Sequence, residues 1–189
     1  MSGAEIIGTV LGVIGVWLMI RQNIWNWPVG LVQVAVYTWV FYDARLYSDA
    51  ILQILFFAIQ GYGWWHWWRG RHTGARSELP VTRLSGRAIG GGVIVGAAVA
   101  AGWGTFMQRT TDAALPYWDA FILVFSLMAQ WLQARKKLEN WAGWLGVNTV
   151  GIGVYWVKDL RLTAGLYLVF WLMALWGWRE WRRAMRATA

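Results

Sequence analysis

The chain has 189 residues, of which 58% are hydrophobic and 14% charged, with 18 tryptophans and no cysteine. This composition excludes disulfides, thiolate metal sites and thiol catalysis, and it holds more long apolar runs than a soluble domain of this size has use for. The net charge of +8 raises nucleic acid as a partner, but its distribution along the chain points to a lipid bilayer instead.

Seven apolar runs of bilayer-spanning length are expected as helices: 4–20, 24–42, 46–67, 87–107, 115–134, 141–157 and 162–180. The first lacks a basic start and is long enough to span, so it reads as a retained helix, not a cleaved signal; Gly8 and Gly12 suit close packing there. In the second, Gln22, Asn26, Gln33 and Tyr37 fall on one helical face, and Pro28 sits in the first turn, where its missing N–H costs nothing. In the third, Asp49, Gln53, Gln60 and Trp64 share a face. Asp49 stands four residues after Arg45, which allows an ion pair at the outer interface or a counter-ion for a cationic substrate. The indoles of Trp64, Trp65, Trp67 and Trp68 read as an aromatic belt at the membrane boundary.

The fourth run, rich in Gly, Ala and Val, has nothing with which to hold a polar substrate and is expected to be a connector. The fifth places Asp119, Ser126, Gln130 and Gln133 on one face. The sixth does the same with Trp141, Trp144, Asn148 and Tyr155, and the seventh with Thr163, Tyr167, Trp171 and Trp178. Polar groups turned to hydrocarbon would cost several kcal/mol apiece, so the stripes must face water or one another. Glue between helices is one reading; an internal binding cavity is the other.

Assigning Lys and Arg to alternating sides of seven spans gives 13 on one side and 4 on the other. Positive charge stays in the cytoplasm, so the N-terminus is expected outside and the C-terminus inside, in a bacterial inner membrane. Shifting the chain by 116 positions pairs Trp25 with Trp141, Asp43 with Asp159, Arg45 with Arg161, Gly61 with Gly177 and Trp65 with Trp181. Helix 2 then matches helix 6 after an even number of crossings. This makes a parallel repeat of three helices, one linker and three helices. The expected division is 1–68 for the first repeat, 69–113 for the basic loop and linker helix, and 114–189 for the second repeat.

Enzyme activity is not expected. The only histidines are His66 and His72, near or in the basic loop, no Ser/His or metal-ligand constellation lies within the spans, and neither a cofactor nor a metal is implied. A membrane ligand sensor is the alternative from another class.

Asn26-Trp27-Pro28, Tyr37, Leu46-Tyr47-Ser48-Asp49 with Gln53, Gly61 through Trp65, and Glu139-Asn140-Trp141 with Trp144 and Asn148 resemble the Pnu family of bacterial vitamin transporters. The resemblance implies an all-α, seven-helix fold related to full-length SWEET-like carriers. It implies facilitated diffusion of a vitamin such as nicotinamide riboside, with thiamine and riboflavin as alternatives, followed by trapping through a cytosolic vitamin kinase. It puts Trp141 and Trp144 beside the substrate path. With the polar stripes, the candidate binding residues are Gln33, Tyr37, Gln53, Trp141, Trp144 and Asn148. Asn26, Asp49, Gln130 and Tyr155 are candidates for the path or a counter-ion. A homo-oligomer is left open.

Overall fold

The computed structural model describes residues 3–43, 47–73 and 79–187. Among them are seven α-helices: α1 (Gly3–Ile20), α2 (Asn26–Asp43), α3 (Tyr47–Thr73), α4 (Gly86–Thr110), α5 (Pro116–Ala134), α6 (Asn140–Val157) and α7 (Arg161–Ala187). They match the expected spans closely, except that α3 and α7 each run to 27 residues. At about 1.5 Å per residue the 18-residue helices are near the thickness of a bilayer core, and α3 and α7 overshoot it at their C-terminal, basic ends. Judged by length and uniform apolarity alone, α4 is the helix of bilayer-spanning type among the described residues, and the apolar stretch Ile6–Ile20 of α1 is shorter; α2, α3, α5, α6 and α7 carry amides or indoles. Large apolar side chains such as Val32, Trp39, Val95 and Leu162 are exposed on the outside, a surface suited to lipid.

Six helices close into a ring. Helix α1 packs on α2, α2 on α3, α3 on α5, α5 on α6, α6 on α7, and α7 returns to α1. Helix α4 packs on α5 alone. Its Gly96, Ala100 and Gly104 form a buried stripe against Tyr117, Phe125 and Met128, where added β-carbons at the two glycines would collide. Gly90, Gly91 and Gly102 meet open space.

Three of the helix ends stop on a non-glycine residue in the left-handed conformation: Gln22 after α1, Lys136 after α5 and Asp159 after α6, with φ of 53°, 50° and 57°. Each is a Schellman cap. At α5, for example, Lys136 N–H bonds to the Gln133 carbonyl at 3.0 Å and Lys137 N–H to the Leu132 carbonyl at 2.9 Å. The basic loop then crosses the α5–α6 turn. Thr82 N–H donates to the Lys136 carbonyl at 3.0 Å and Leu138 N–H to the Thr82 carbonyl at 2.9 Å, while the Glu139 carboxylate accepts from Arg83 and from Leu84 N–H.

The best-packed part of the core lies at this same end. Trp27 meets Trp67 edge to face at 5.4 Å, and Trp141 meets Trp181 edge to face at 5.5 Å. All four rings are buried. Trp67 Nε1 donates to the Ala134 carbonyl and Trp181 Nε1 to the Met19 carbonyl, at 3.0 and 3.1 Å. Gly63 makes room for Trp27 and Gly177 for Trp141. Asn26 Nδ2 donates to the Asn23 carbonyl and Asn140 Nδ2 to the Lys137 carbonyl, both at 2.6 Å. The residues Gln22, Asn26, Trp27, Gly63 and Trp67 each precede their counterparts Lys136, Asn140, Trp141, Gly177 and Trp181 by 114 positions. Like contacts therefore recur at a spacing of 114 positions, not the 116 suggested by residue coincidences. Trp25 is exposed where Trp27 is buried, so Trp25 is not the counterpart of Trp141. Gly61, beside which an added Cβ meets nothing, is not that of Gly177. Trp64, Trp65 and Trp68 are exposed, as a belt requires, but Trp67 belongs to the core. Arg45 of the expected repeat lies outside the described residues, and so does the side chain of Asp43.

This packing gives a direct test. Gly177→Ala sets a Cβ against the Trp141 ring, and overpacking of this kind costs about 1–3 kcal/mol. Gly146→Ala, also helical, meets open space. We expect thermal unfolding in detergent to show a clear drop for Gly177→Ala and little change for Gly146→Ala.

Candidate substrate-binding site

The helix ring encloses a cavity of about 240 Å³. Every helix except α4 contributes to its wall. From α1 come Gly12, Gly15, Val16 and Met19, a mostly small surface. Gly12 is needed because the Gln33 amide from α2 lies against it, with Nε2 only 2.7 Å from where a Cβ would stand. Gly30 plays the same part for Gln60 of α3, whose Oε1 occupies the place of a side chain. Two glycines thus let two glutamines lie flat along neighbouring helices. From α5 come Ser126, Gln130 and Gln133, from α6 Trp141, Trp144, Val147 and Asn148, and from α7 Tyr167 and Phe170.

The wall combines two kinds of chemistry. Trp141, Trp144, Tyr167 and Phe170 give it aromatic rings, and Gln33, Gln60, Gln130, Ser126 and Asn148 supply hydrogen-bonding groups. Gln60, Ser126, Gln130 and Asn148 are buried. Among the described residues, the side chains of these five polar residues make no hydrogen bond to protein, yet none has a fully enclosed orphan atom. They face the cavity instead of cementing helices, and burying them there is costly unless something in the cavity bonds to them.

Among the described residues no charged side chain lines the cavity. Lys136 is buried, but its Nζ donates to Gln22 Oε1 and the Leu79 carbonyl, both at 2.9 Å, and lies 4.4 Å from the Trp67 ring centre. Asp119, at the opposite end of the bundle, is held by Lys158 Nζ at 2.8 and 2.9 Å.

Of the residues expected from sequence, Gln33, Trp141, Trp144, Asn148, Asn26 and Gln130 come together on the wall. Tyr155 stands behind it, its ring 4.9 Å from that of Tyr167. Tyr37 packs over Gly8 and Gln53 is half-buried on α3; neither is on the wall. The side chain of Asp49 lies outside the described residues. Gln60, Ser126, Gln133 and Tyr167 stood on the expected stripes without being singled out as candidates. Gln60 replaces Gln53 because it is two turns further along the same face and α3 extends to Thr73, which moves its inward-facing middle toward the C-terminus. Phe170 and the two accommodating glycines carried no polar signal.

A profile of the nicotinamide mononucleotide transporter family matches residues 2–183. The chain belongs to this family. It is a membrane transporter, all-helical like its relatives. It is 32% identical to the riboflavin/roseoflavin transporter RibM of Streptomyces davaonensis, over 94% of this chain and 84% of that one. It is 26% identical to the nicotinamide riboside transporter PnuC of Escherichia coli, over 98% and 87%. The crystal structure of the vitamin B3 transporter PnuC superposes with a TM-score of 0.77 at 24% identity, over 97% of this chain and 82% of that one. That likeness establishes the fold.

The wall predicts a ranking of substitutions. With nicotinamide riboside and riboflavin, the ligands of the named relatives, as probes, Gln33→Ala, Gln60→Ala, Asn148→Ala and Trp144→Ala should each weaken the tighter ligand by about 5- to 150-fold, the cost of one lost buried partner. Gln53→Ala should cost less than any of them. Calorimetric titration of gel-filtered protein in detergent measures this directly; equal binding by all five variants would place the ligand elsewhere.

Proposed function

We propose that the protein is an inner-membrane carrier that equilibrates an unphosphorylated vitamin across the bilayer, with nicotinamide riboside as its substrate. The observation that carries this reading is the wall itself, which combines aromatic rings with neutral donors and acceptors that have no partner among the described residues. Indole faces attract a cationic pyridinium ring by roughly 0.5–2 kcal/mol, and amides match a carboxamide and ribose hydroxyls. A phosphate would need Arg or Lys, and the described wall has neither, so the riboside suits the cavity better than the mononucleotide. At about 240 Å³ the cavity is small among ligand sites, which favours a one-ring vitamin. Riboflavin is the second reading, favoured by the 32% identity to a riboflavin transporter. Thiamine, whose ring is also cationic, stands behind both.

In this reading transport is uniport. An intramembrane acid or base is the usual proton carrier, and among the described residues none lines the cavity. Net uptake then needs a cytosolic kinase to trap the vitamin. The architecture proposed is a parallel repeat, α1–α3 and α5–α7, joined by α4. It is supported by the counterparts 114 positions apart and by a ring order in which each helix of one half takes the place of its counterpart in the other. Residues 1–68, 69–113 and 114–189 remain the division proposed. The division of 13 basic residues against 4 supports an outside N-terminus and a cytoplasmic C-terminus.

Thermal stability of the purified protein measured against nicotinamide riboside, riboflavin, thiamine and nicotinamide mononucleotide tests the substrate, since a ligand of the folded state raises apparent stability. The riboside should shift the transition and the mononucleotide should not. A shift with riboflavin alone selects the second reading, and one with the mononucleotide overturns the phosphate-free site.

Counter-flow in proteoliposomes tests the mechanism. Exchange should proceed at the same rate with and without a protonophore. Binding without exchange would mark a sensor, and uptake driven by an imposed pH gradient would mark a proton-coupled carrier.

A further inference from the structure

Gln133 differs from the other amides of the wall. Its Oε1 accepts the indole N–H of Trp144 at 2.7 Å, a short bond between a buried glutamine and the aromatic platform one helix away. An indole nitrogen can only donate, so this bond settles which way the Gln133 amide points: the oxygen is spent on Trp144 and the nitrogen is left over. Among the described residues that nitrogen has no partner, and Gln133 lines the cavity. The same bond fixes the plane of Trp144. A ring resting on the indole face therefore brings its edge substituents beside an N–H₂ group, not beside a carbonyl. The counterpart of Gln133 in the first half, 114 positions earlier, is Met19, which also lines the cavity but carries no donor. The donor is present on one side only, and so it gives a bound ring an orientation.

We infer, on the reading that the cavity takes a flat-ring vitamin, that Gln133 is a specificity-determining residue. It locks Trp144 as the stacking platform and donates its amide N–H to a carbonyl oxygen on the ring's edge. It selects aromatic ligands that carry such a carbonyl, as a carboxamide-substituted pyridinium or an isoalloxazine does, over rings that present amino groups there, as the aminopyrimidine of thiamine does.

The test compares two ligands that differ only at that edge, nicotinamide riboside and the pyridinium riboside lacking the carboxamide. Both are cations, so a change in local charge cancels in their ratio. The parent should bind the first at least about five-fold more tightly, the loss expected for one unmade buried hydrogen bond. Gln133→Met removes donor and acceptor, and the ratio should fall toward one. Gln133→Glu, measured at a pH high enough to ionise the carboxyl, keeps an acceptor for Trp144 Nε1 but no longer offers the donor, so the platform stays in place and the ratio should fall likewise. It decides the matter should the methionine variant fail to fold. A residue with a purely structural role would weaken both ligands together and leave the ratio at the parent's value, and that result overturns the inference while leaving the vitamin site standing. A parent that binds thiamine and neither nicotinamide riboside nor riboflavin also overturns it. A parent that binds none of the three overturns the site as well.

Discussion

A polar side chain placed inside a bilayer protein needs a partner, because hydrocarbon offers none. Usually the partner is another helix, and the pair serves as glue. Here Gln33, Gln60, Gln130, Ser126 and Asn148 are turned inward without one among the described residues. Much of the surrounding structure serves that arrangement. The ring order of six helices keeps the five groups away from lipid. Gly12 and Gly30 give two of the glutamines room to lie against a neighbouring backbone. The fourth helix, with no polar inner face, is kept outside the ring.

The energy to hold such a costly centre comes from the basic end of the bundle. Four buried tryptophans, two glycines that admit them and two indole N–H bonds to helix-terminal carbonyls form one continuous core there. Fully burying each large apolar side chain contributes about 1.5–3 kcal/mol or more. The core also crosses between the halves. Trp67 of α3 bonds to the end of α5, and Trp181 of α7 bonds to the end of α1. The left-handed residues Gln22 and Lys136 meet each other through their side chains.

The helices were legible in the sequence because a run of apolar residues bounded by charge is enough to locate a span. The set of inward faces was legible too, since period 3.6 fixes which residues share a side. Depth along a face was not. Gln53 and Gln60 are indistinguishable by periodicity, and what separates them is the overshoot of α3, which the charged sequence after Trp68 concealed. A recurrence of like residues was visible but the spacing of the like contacts was not. In a chain with 18 tryptophans chance identities such as Trp25 with Trp141 outweigh the true pair, Trp27 with Trp141. What distinguishes Trp27 is a glycine 36 positions later, on a different helix, and the same spacing separates Trp141 from Gly177. The caps at Gln22, Lys136 and Asp159 were hidden because glycine, the usual signal for a left-handed helix end, is absent from all three.

The uneven placement of contacts bears on how such a protein moves. On the proposed reading, with the site between two halves, rocking one half against the other exposes the site, and the bonds that cross between the halves are then the ones that break. At the basic end the crossing contacts are two indole N–H bonds, the Lys136–Gln22 bond and an apolar core. At the other end the Lys158–Asp119 pair joins α5 to the α6–α7 turn, within one half. Residues 82–84 are tied to the α5–α6 turn through Thr82 and Glu139, and α4 packs on α5, so on the same reading these segments go with the second half. The first three helices are then the lighter partner, joined to it through the α1–α7 and α3–α5 seams. Among the described residues the polar bonds across those seams are few and neutral or singly charged, so each can be exchanged for bonds to water at small net cost as that end opens. A network of buried ion pairs in the same place would hold the seam shut.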